Sequence, residues 1–221
     1  MVQYTEWRSI SDGSIISDIP DSVVNQWPHD EGSGTTLNDN EGTVDGTISG
    51  ATWTSDNDAV GGYYLYYDGT DDHTSLGDDP FVNLYDGDFT FTFFARPDDT
   101  NNSYWVIDHA GVNINFENDD FRLTFPGVDN YASGLEANLT EGEWHFFAVR
   151  YDRSQTEARF TIDGNHNDVD VGTPNEETNE EGGFGKRFSG NDRHFDGGMD
   201  EITYSDSFLS DDDISTLQNR R

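Results

Sequence analysis

The stretch Phe89-Thr90-Phe91-Thr92-Phe93-Phe94-Ala95-Arg96-Pro97 decides the fold class. Phe89, Phe91, Phe93 and Ala95 fall on one side of an extended chain, with Thr90, Thr92 and Phe94 on the other. Farther along, Trp144-His145-Phe146-Phe147-Ala148-Val149-Arg150-Tyr151 is apolar on both faces, which suits a central strand covered on both sides. Ala158, Phe160 and Ile162 share one face, opposite Glu157, Arg159 and Thr161. Short runs of the same aromatic and β-branched character occur at Tyr63–Tyr67, Tyr104–Ile107, Phe121–Phe125 and Met199–Tyr204. Asp68-Gly69, Asp86-Gly87, Pro126-Gly127, Glu141-Gly142 and Asp163-Gly164 punctuate them as turns. Many short strands separated by turns predict an all-β, antiparallel sandwich or barrel.

The two ends differ from this pattern. Leu209 to Leu217 reads as a short helix, with Ser210 or Asp211 as its cap, acids in its first turn, and Arg220 and Arg221 near its C-terminus. Residues 1–22 are mixed and polar and read as an N-terminal arm or docking segment, leaving 23–221 as one domain. Asn175 to Gly183 is polar and reads as a solvated loop. Between Met1 and Pro20 there is no continuous apolar run of the secretory type, and no stretch approaches the roughly 18 apolar residues of a membrane span.

Composition bounds the partners. The 221 residues include 45 acidic and 11 basic ones, for a formal net charge of −34. Phosphate binding needs a basic face, so nucleic acid is excluded as a direct partner, and membrane insertion is not expected. The absence of Cys removes disulfides and thiolate chemistry. Lys186 is the only lysine. The 15 Phe, 10 Tyr and 5 Trp argue against disorder, so the acid excess reads as adaptation to concentrated salt. In molar salt the Debye length falls to about 3 Å and self-repulsion is screened.

The order of these elements resembles the laminin-G-like, concanavalin A-like jelly rolls. The stations are Asn25 to Gly34 with its Glu31-Gly32-Ser33-Gly34 turn, Val44-Asp45-Gly46-Thr47 before Trp53, and Tyr67-Asp68-Gly69 through Asp72. Phe89 to Pro97, Trp144-His145 to Asp152, and Phe160-Thr161-Ile162-Asp163-Gly164 follow. Gly198-Met199-Asp200-Glu201-Ile202-Thr203-Tyr204 with Leu209-Ser210 and Ile214 close the match, which spans about residues 23 to 217. The resemblance implies a two-sheet antiparallel jelly-roll sandwich with a short C-terminal helix. It also implies that the Met199-Asp200-Glu201-Ile202 stretch pairs near the start of the domain.

Related jelly rolls often carry calcium where the first and last strands meet, so the resemblance implies a structural Ca2+ held by Asp39, the carbonyl of Thr43, and Asp200. Strand alternation sets Asp200 on the side of Ile202 and Tyr204, pointing inward, where a carboxylate needs backbone N–H groups or a metal. The competing reading is an Asp that caps a turn or strand end. Asp163-x-Asn165-x-Asn167-Asp168-x-Asp170 mimics an EF-hand start, but it lacks the central Gly and has Pro174 in place of the closing Glu.

For carbohydrate, Tyr104, Trp105 and His109, with Asp108, Asn101 and Asn102 beside them and Asn130 and Tyr131 in the following loop, form the candidate group. Exposed aromatic faces bury the C–H side of a sugar ring. The competing reading packs Trp105 in the core. Hydrolases of the superfamily carry Glu-x-Asp-x-x-Glu on one strand, whereas Glu117 to Arg122 ends in Arg. No Gly-x-Ser-x-Gly or His-Glu-x-x-His occurs, so no catalysis is expected. The expected function is a non-catalytic surface recognition or attachment module. The first placement is a virion surface in a hypersaline habitat, as capsid decoration, turret or spike. There the N-terminal arm would dock on capsid proteins or order a homo-oligomer, and a host cell-surface glycan or glycoprotein would be the ligand. The alternative is a carbohydrate-binding or adhesion domain of a secreted haloarchaeal protein, with a glycoside hydrolase behind both. Either way the location is virion-surface or extracellular.

Overall fold

Among the described residues, sixteen strands form two antiparallel sheets of eight. The computed structural model describes residues 19–221 except 79, 82, 83, 101, 110, 118, 119, 136–138 and 176–180. Most of the N-terminal arm, residues 1–18, and Asn101 therefore lie outside the described residues. In chain order the strands are β1 (Asn25–Trp27), β2 (Thr36–Leu37), β3 (Gly46–Ser49), β4 (Thr52–Ser55), β5 (Tyr63–Asp68), β6 (His73–Asp78), β7 (Phe89–Pro97) and β8 (Ser103–His109). They continue as β9 (Val112–Glu117), β10 (Asp120–Phe125), β11 (Asp129–Ala132), β12 (His145–Asp152), β13 (Glu157–Ile162), β14 (Asn165–Asp170), β15 (Glu181–Phe184) and β16 (Asp196–Ser205). The helix α1 (Asp211–Gln218) follows. One sheet runs β14-β13-β12-β7-β16-β5-β4, with β1 also paired to β16. The other runs β11-β10-β9-β8-β15-β6-β3-β2.

The closing strand meets the beginning of the domain as expected. β16 pairs with β5 through Asp196 to Met199, then with β1, where Trp27 faces Ile202 and Asn25 faces Tyr204. Between those two pairings Glu201 adopts φ 49° and the register against β7 shifts.

Aromatic rings fill the space between the sheets. Phe89, Phe91 and Phe93 turn inward from β7, opposite Tyr151, Val149 and Phe147 of β12. Phe93 stacks on Phe147 at 5.1 Å, and Phe147 meets Phe116 of the other sheet edge-on at 5.0 Å. Truncating one such ring to Ala costs about 3–5 kcal/mol. The far side of β7 and β12 is also apolar. Phe94, Phe146 and Ala148 lie under Leu209 and under Ile214 and Leu217 of α1, which explains the two-sided pattern of both strands. Ser210 caps α1: its Oγ accepts the Asp213 N–H at 3.1 Å, and the Asp213 carboxylate accepts the Ser210 N–H at 3.1 Å.

Two expectations are corrected here. The polar stretch ending at Gly183 is not all loop, because Glu181–Phe184 forms β15 between β6 and β8. Its glycines fit a crowded slot: a Cβ on Gly183 would meet the Thr74 carbonyl and lie 2.7 Å from the Phe188 ring. The EF-hand mimic, by contrast, is accidental as its missing Gly and Glu imply: Asp163 lies in a hairpin turn and Asn165–Asp170 is an edge strand. Arg220 does not serve the helix end; it turns back to Glu201, with Nε 3.0 Å from Oε2.

Candidate functional site

Alternation along β9 and β10 gives the second sheet an apolar inner face and a polar outer one. Val112, Ile114, Phe116, Phe121, Leu123 and Phe125 are core residues, so Asn113, Asn115, Glu117, Arg122 and Thr124 take the outer face. Register arranges these in rows. Trp105, Asn115 and Arg122 stand opposite one another across β8, β9 and β10. Asp108, Asn113, Thr124 and Asn130 form the next row, which extends into β11. Directly opposed side chains have Cβ atoms about 4.5–5.5 Å apart, so neighbours within a row can touch. The Thr124 hydroxyl lies 2.9 Å from both Asn115 Oδ1 and Asn130 Oδ1. Asn130 Nδ2 donates to Glu117 at 3.1 Å, and Asn113 Nδ2 donates to Asp108. Arg122 borders the rows, 3.2 Å from Asp120 and 3.6 Å from Glu117.

The segment between β15 and β16 roofs the Trp105 end. Gly185 N–H donates to Val106 O and Trp105 N–H donates to Arg193 O, both at 3.0 Å. Asp108 is 1% exposed and accepts the Phe188 N–H at 2.5 Å. Burial pushes its carboxyl up to about 7, against the pull of the Phe188 and Ser189 N–H groups and of Arg187. Arg187 is forked onto Asp192 with two contacts of 2.6 Å. The guanidiniums of Arg193 and Arg187 lie 4.8 and 5.7 Å from the Trp105 ring centroid. Cations over an indole face are held by its quadrupole.

The expected aromatic platform is divided by this geometry. Tyr104 and Trp105 are consecutive and point to opposite faces. Tyr104 packs inward against Phe195 at 5.0 Å and Phe116 at 5.3 Å. Trp105 does lie on the outer face, yet it is 8% exposed beneath two arginines and offers no bare ring. His109 is buried against Phe81 and bonds the Tyr85 hydroxyl. The Tyr131 ring packs on Phe125, and its hydroxyl accepts the Gly172 N–H at 2.7 Å. Trp105, Asp108 and Asn130 are thus brought to one face; Tyr104, His109 and Tyr131 are not. Asn113, Asn115, Arg122 and Thr124 escaped the sequence reading, although Val112-Asn113-Ile114-Asn115-Phe116-Glu117 alternates perfectly and could have revealed them.

The calcium group does not fit. Asp39 Oδ1 accepts the N–H groups of Gln26 (3.0 Å) and Gly42 (2.9 Å), and Oδ2 accepts Asn25 Nδ2 (2.6 Å) and the Val44 N–H (3.0 Å). Four donors fill the carboxylate's about four acceptor positions and leave none for a metal. Thr43 is exposed. The bulge at Glu201 reverses the parity of β16, so Asp200 faces the side of Phe94, away from Ile202 and Tyr204. There its Oδ2 accepts the Val60 N–H at 2.8 Å. Burial, then the neighbouring Glu201, pushes its carboxyl well above the usual range. Glu201 is the residue that faces β1, accepting from Gln26 Nε2 at 2.9 Å and from Arg220. Among the described residues, the carboxylates of Asp68, Asp71 and Asp72 come within 4.8 Å of one another at the β5–β6 turn, where Asp68 and Asp71 are exposed.

Comparison with known proteins agrees with this architecture. A family model described as the concanavalin A-like lectin/glucanases superfamily matches residues 68–215. No curated protein matches the chain. The botulinum neurotoxin serotype D binding domain superimposes with a TM-score of 0.68 at 13% identity, covering 91% of this chain and 52% of that one. Domain 4 of AbnA, an extracellular arabinanase from Geobacillus stearothermophilus, in complex with arabinotriose, gives 0.64 at 14% identity, covering 90% and 98%. A mutant Trypanosoma rangeli sialidase with trans-sialidase activity gives 0.66 at 12% identity, covering 93% of this chain. The chain spans 34% of that sialidase. At these identities the likeness is one of fold.

Proposed function

The chain belongs to the concanavalin A-like lectin/glucanase superfamily, and from that premise we propose that it is a non-catalytic recognition module. It attaches to glycan-bearing surfaces through the outer face of β8–β11. The observation that carries this reading is the pair of rows themselves. They hold amides, a hydroxyl, a carboxyl, a guanidinium and an indole in fixed register on rigid strands, the mixture that orients a saccharide. The arabinotriose on domain 4 of the arabinanase is a saccharide on a domain of like fold and size. Glu117, which opens the near-match to the hydrolase signature, and its neighbour Asp120 both hold Arg122, which supports a binding role over acid–base work.

The site of action we propose is the outside of a virion or of a cell in a salt-rich habitat, in keeping with a net charge of −34. Detection in purified particles would support the virion version, and confinement to the host cytoplasm would oppose it. The binding role is tested on a glycan array in molar KCl, using the native chain and Thr124→Arg. Hits that vanish in the variant, with an unchanged denaturation midpoint, are expected; an array with no hits would refute the proposal.

A further inference from the structure

We propose that the Trp105–Asn115–Arg122 row binds an oxyanion, so that the recognised glycan carries a carboxylate or sulfate group at this point; this rests on the glycan-binding reading of the face. Two N–H groups carry it, Trp105 Nε1 and Asn115 Nδ2, and Arg122 stands beside them with its Nε 3.6 Å from Glu117 Oε2. Both N–H groups are sealed from solvent and have no hydrogen-bond partner among the described residues. Asn115 is 1% exposed and Trp105 8%, so both side chains are more than nine-tenths buried. Register makes the three neighbours on one face.

Both unused groups are donors, and the Asn115 carbonyl oxygen lies 2.9 Å from the Thr124 hydroxyl, whose one proton it shares with Asn130. A buried donor without an acceptor is costly, and two in one row share a single remedy, an acceptor with several lone pairs. A carboxylate or sulfate supplies that and makes charge-assisted bonds stronger than those to a neutral hydroxyl. Arg193 and Arg187 flank the indole and add positive charge. The carboxylates nearby are engaged: Glu117 with Asn130 and Arg122, Asp120 with Arg122, Asp192 with Arg187, and Asp108 with Asn113 and Phe188. The remaining acids of the chain act through long-range repulsion, which a Debye length of about 3 Å in molar salt removes, leaving contact geometry to decide. Entry is from the Arg122 end, where the side chains of Arg122 and Glu117 are 23% and 32% exposed.

The test uses the full chain in molar KCl with four probes: trigalacturonate, its methyl ester, a sulfated galactose trisaccharide and neutral galactotriose. The carboxylated or the sulfated probe should bind at least about tenfold more tightly than the ester and the neutral sugar, the worth of one charge-assisted hydrogen bond; whichever does so identifies the anion. The indole N–H resonance of Trp105, assigned by its loss in Trp105→Phe, should move downfield on binding. Trp105→Phe keeps a six-membered aromatic ring but removes the donor, and should weaken the anionic probe about tenfold while sparing the ester. Asn115→Asp, nearly isosteric, should abolish anion binding. Equal affinity for acid and ester overturns the oxyanion assignment and leaves glycan recognition standing. An acid preference with an unmoved Trp105 resonance overturns the location. If no probe binds while the array finds a neutral glycan, the oxyanion inference falls alone; if neither binds, both fall.

Discussion

Replacing Asp108 by Asn gives a stability change that reverses its advantage with pH. The carboxyl sits under the Phe188 loop at 1% exposure, and burial raises it from 3.8 to about 7. Three pKa units at 1.36 kcal/mol each amount to about 4 kcal/mol between the two protonation states. Because the folded-state value is raised, the native state holds this proton more tightly than the unfolded chain does. Asp108 is therefore most favourable below about pH 4, and its contribution falls as pH climbs to about 7, then stays level. About 3 kcal/mol of that fall lies between pH 5 and 8. Asn cannot ionise, so the variant lacks this slope. It instead carries a fixed loss of about 1–3 kcal/mol, since its NH2 group must face the donor of either Asn113 or Phe188. Urea denaturation in molar KCl at pH 5, 6, 7 and 8 measures both proteins. Relative to the native chain, Asp108→Asn should gain about 3 kcal/mol between pH 5 and pH 8 and be the more stable of the two at pH 8. Asp200 and Glu201 are also raised by burial and tilt the native curve the same way, but they cancel in the difference. A gap constant to within about 0.5 kcal/mol across that range would refute the placement of Asp108.

Other perturbations test separate parts of the fold. Arg220→Met leaves Glu201 buried without its cation and should cost about 3–5 kcal/mol, most of it recovered in Arg220→Met/Glu201→Gln; equal losses in the single and double variants would contradict the buried pair. Gly183→Ala should lower stability by about 1–3 kcal/mol, because the new methyl meets the Thr74 carbonyl and the Phe188 ring; a neutral substitution in thermal denaturation would argue against β15 as drawn. Dialysis to low salt, where the Debye length at about 0.01 M is near 30 Å, should unfold a chain of charge −34, and an unchanged circular dichroism spectrum would disprove salt dependence.

Much of the architecture is legible in the sequence because its signal is burial of large rings. Phe89, Phe91 and Phe93 declare β7, Phe146 and Phe147 declare a strand covered twice, and Ser210 with Asp213 declares the start of α1. What escapes has a physical reason in each case. β15 is Glu-Gly-Gly-Phe, a strand shaped by what will not fit, and a missing side chain leaves no periodic mark. β14 is polar except for Val169 because it is an exposed edge. Asp200 is assigned to the wrong face because one residue in a left-handed conformation, Glu201, shifts the two-residue repeat. The proposed recognition face is half legible. Trp105 stands out for its aromatic ring, while Asn113, Asn115 and Thr124 matter only once register sets them beside it.

Amide hydrogen exchange, with and without the glycan selected by the array, in molar KCl, tests the recognition face most directly. Protection should appear in β8 to β11, residues 103–132, and in the covering segment 185–195, with α1 and β12–β14 unchanged. Protection centred on α1 or β12–β14, with residues 103–132 unaffected, would move the binding surface elsewhere and contradict the assignment.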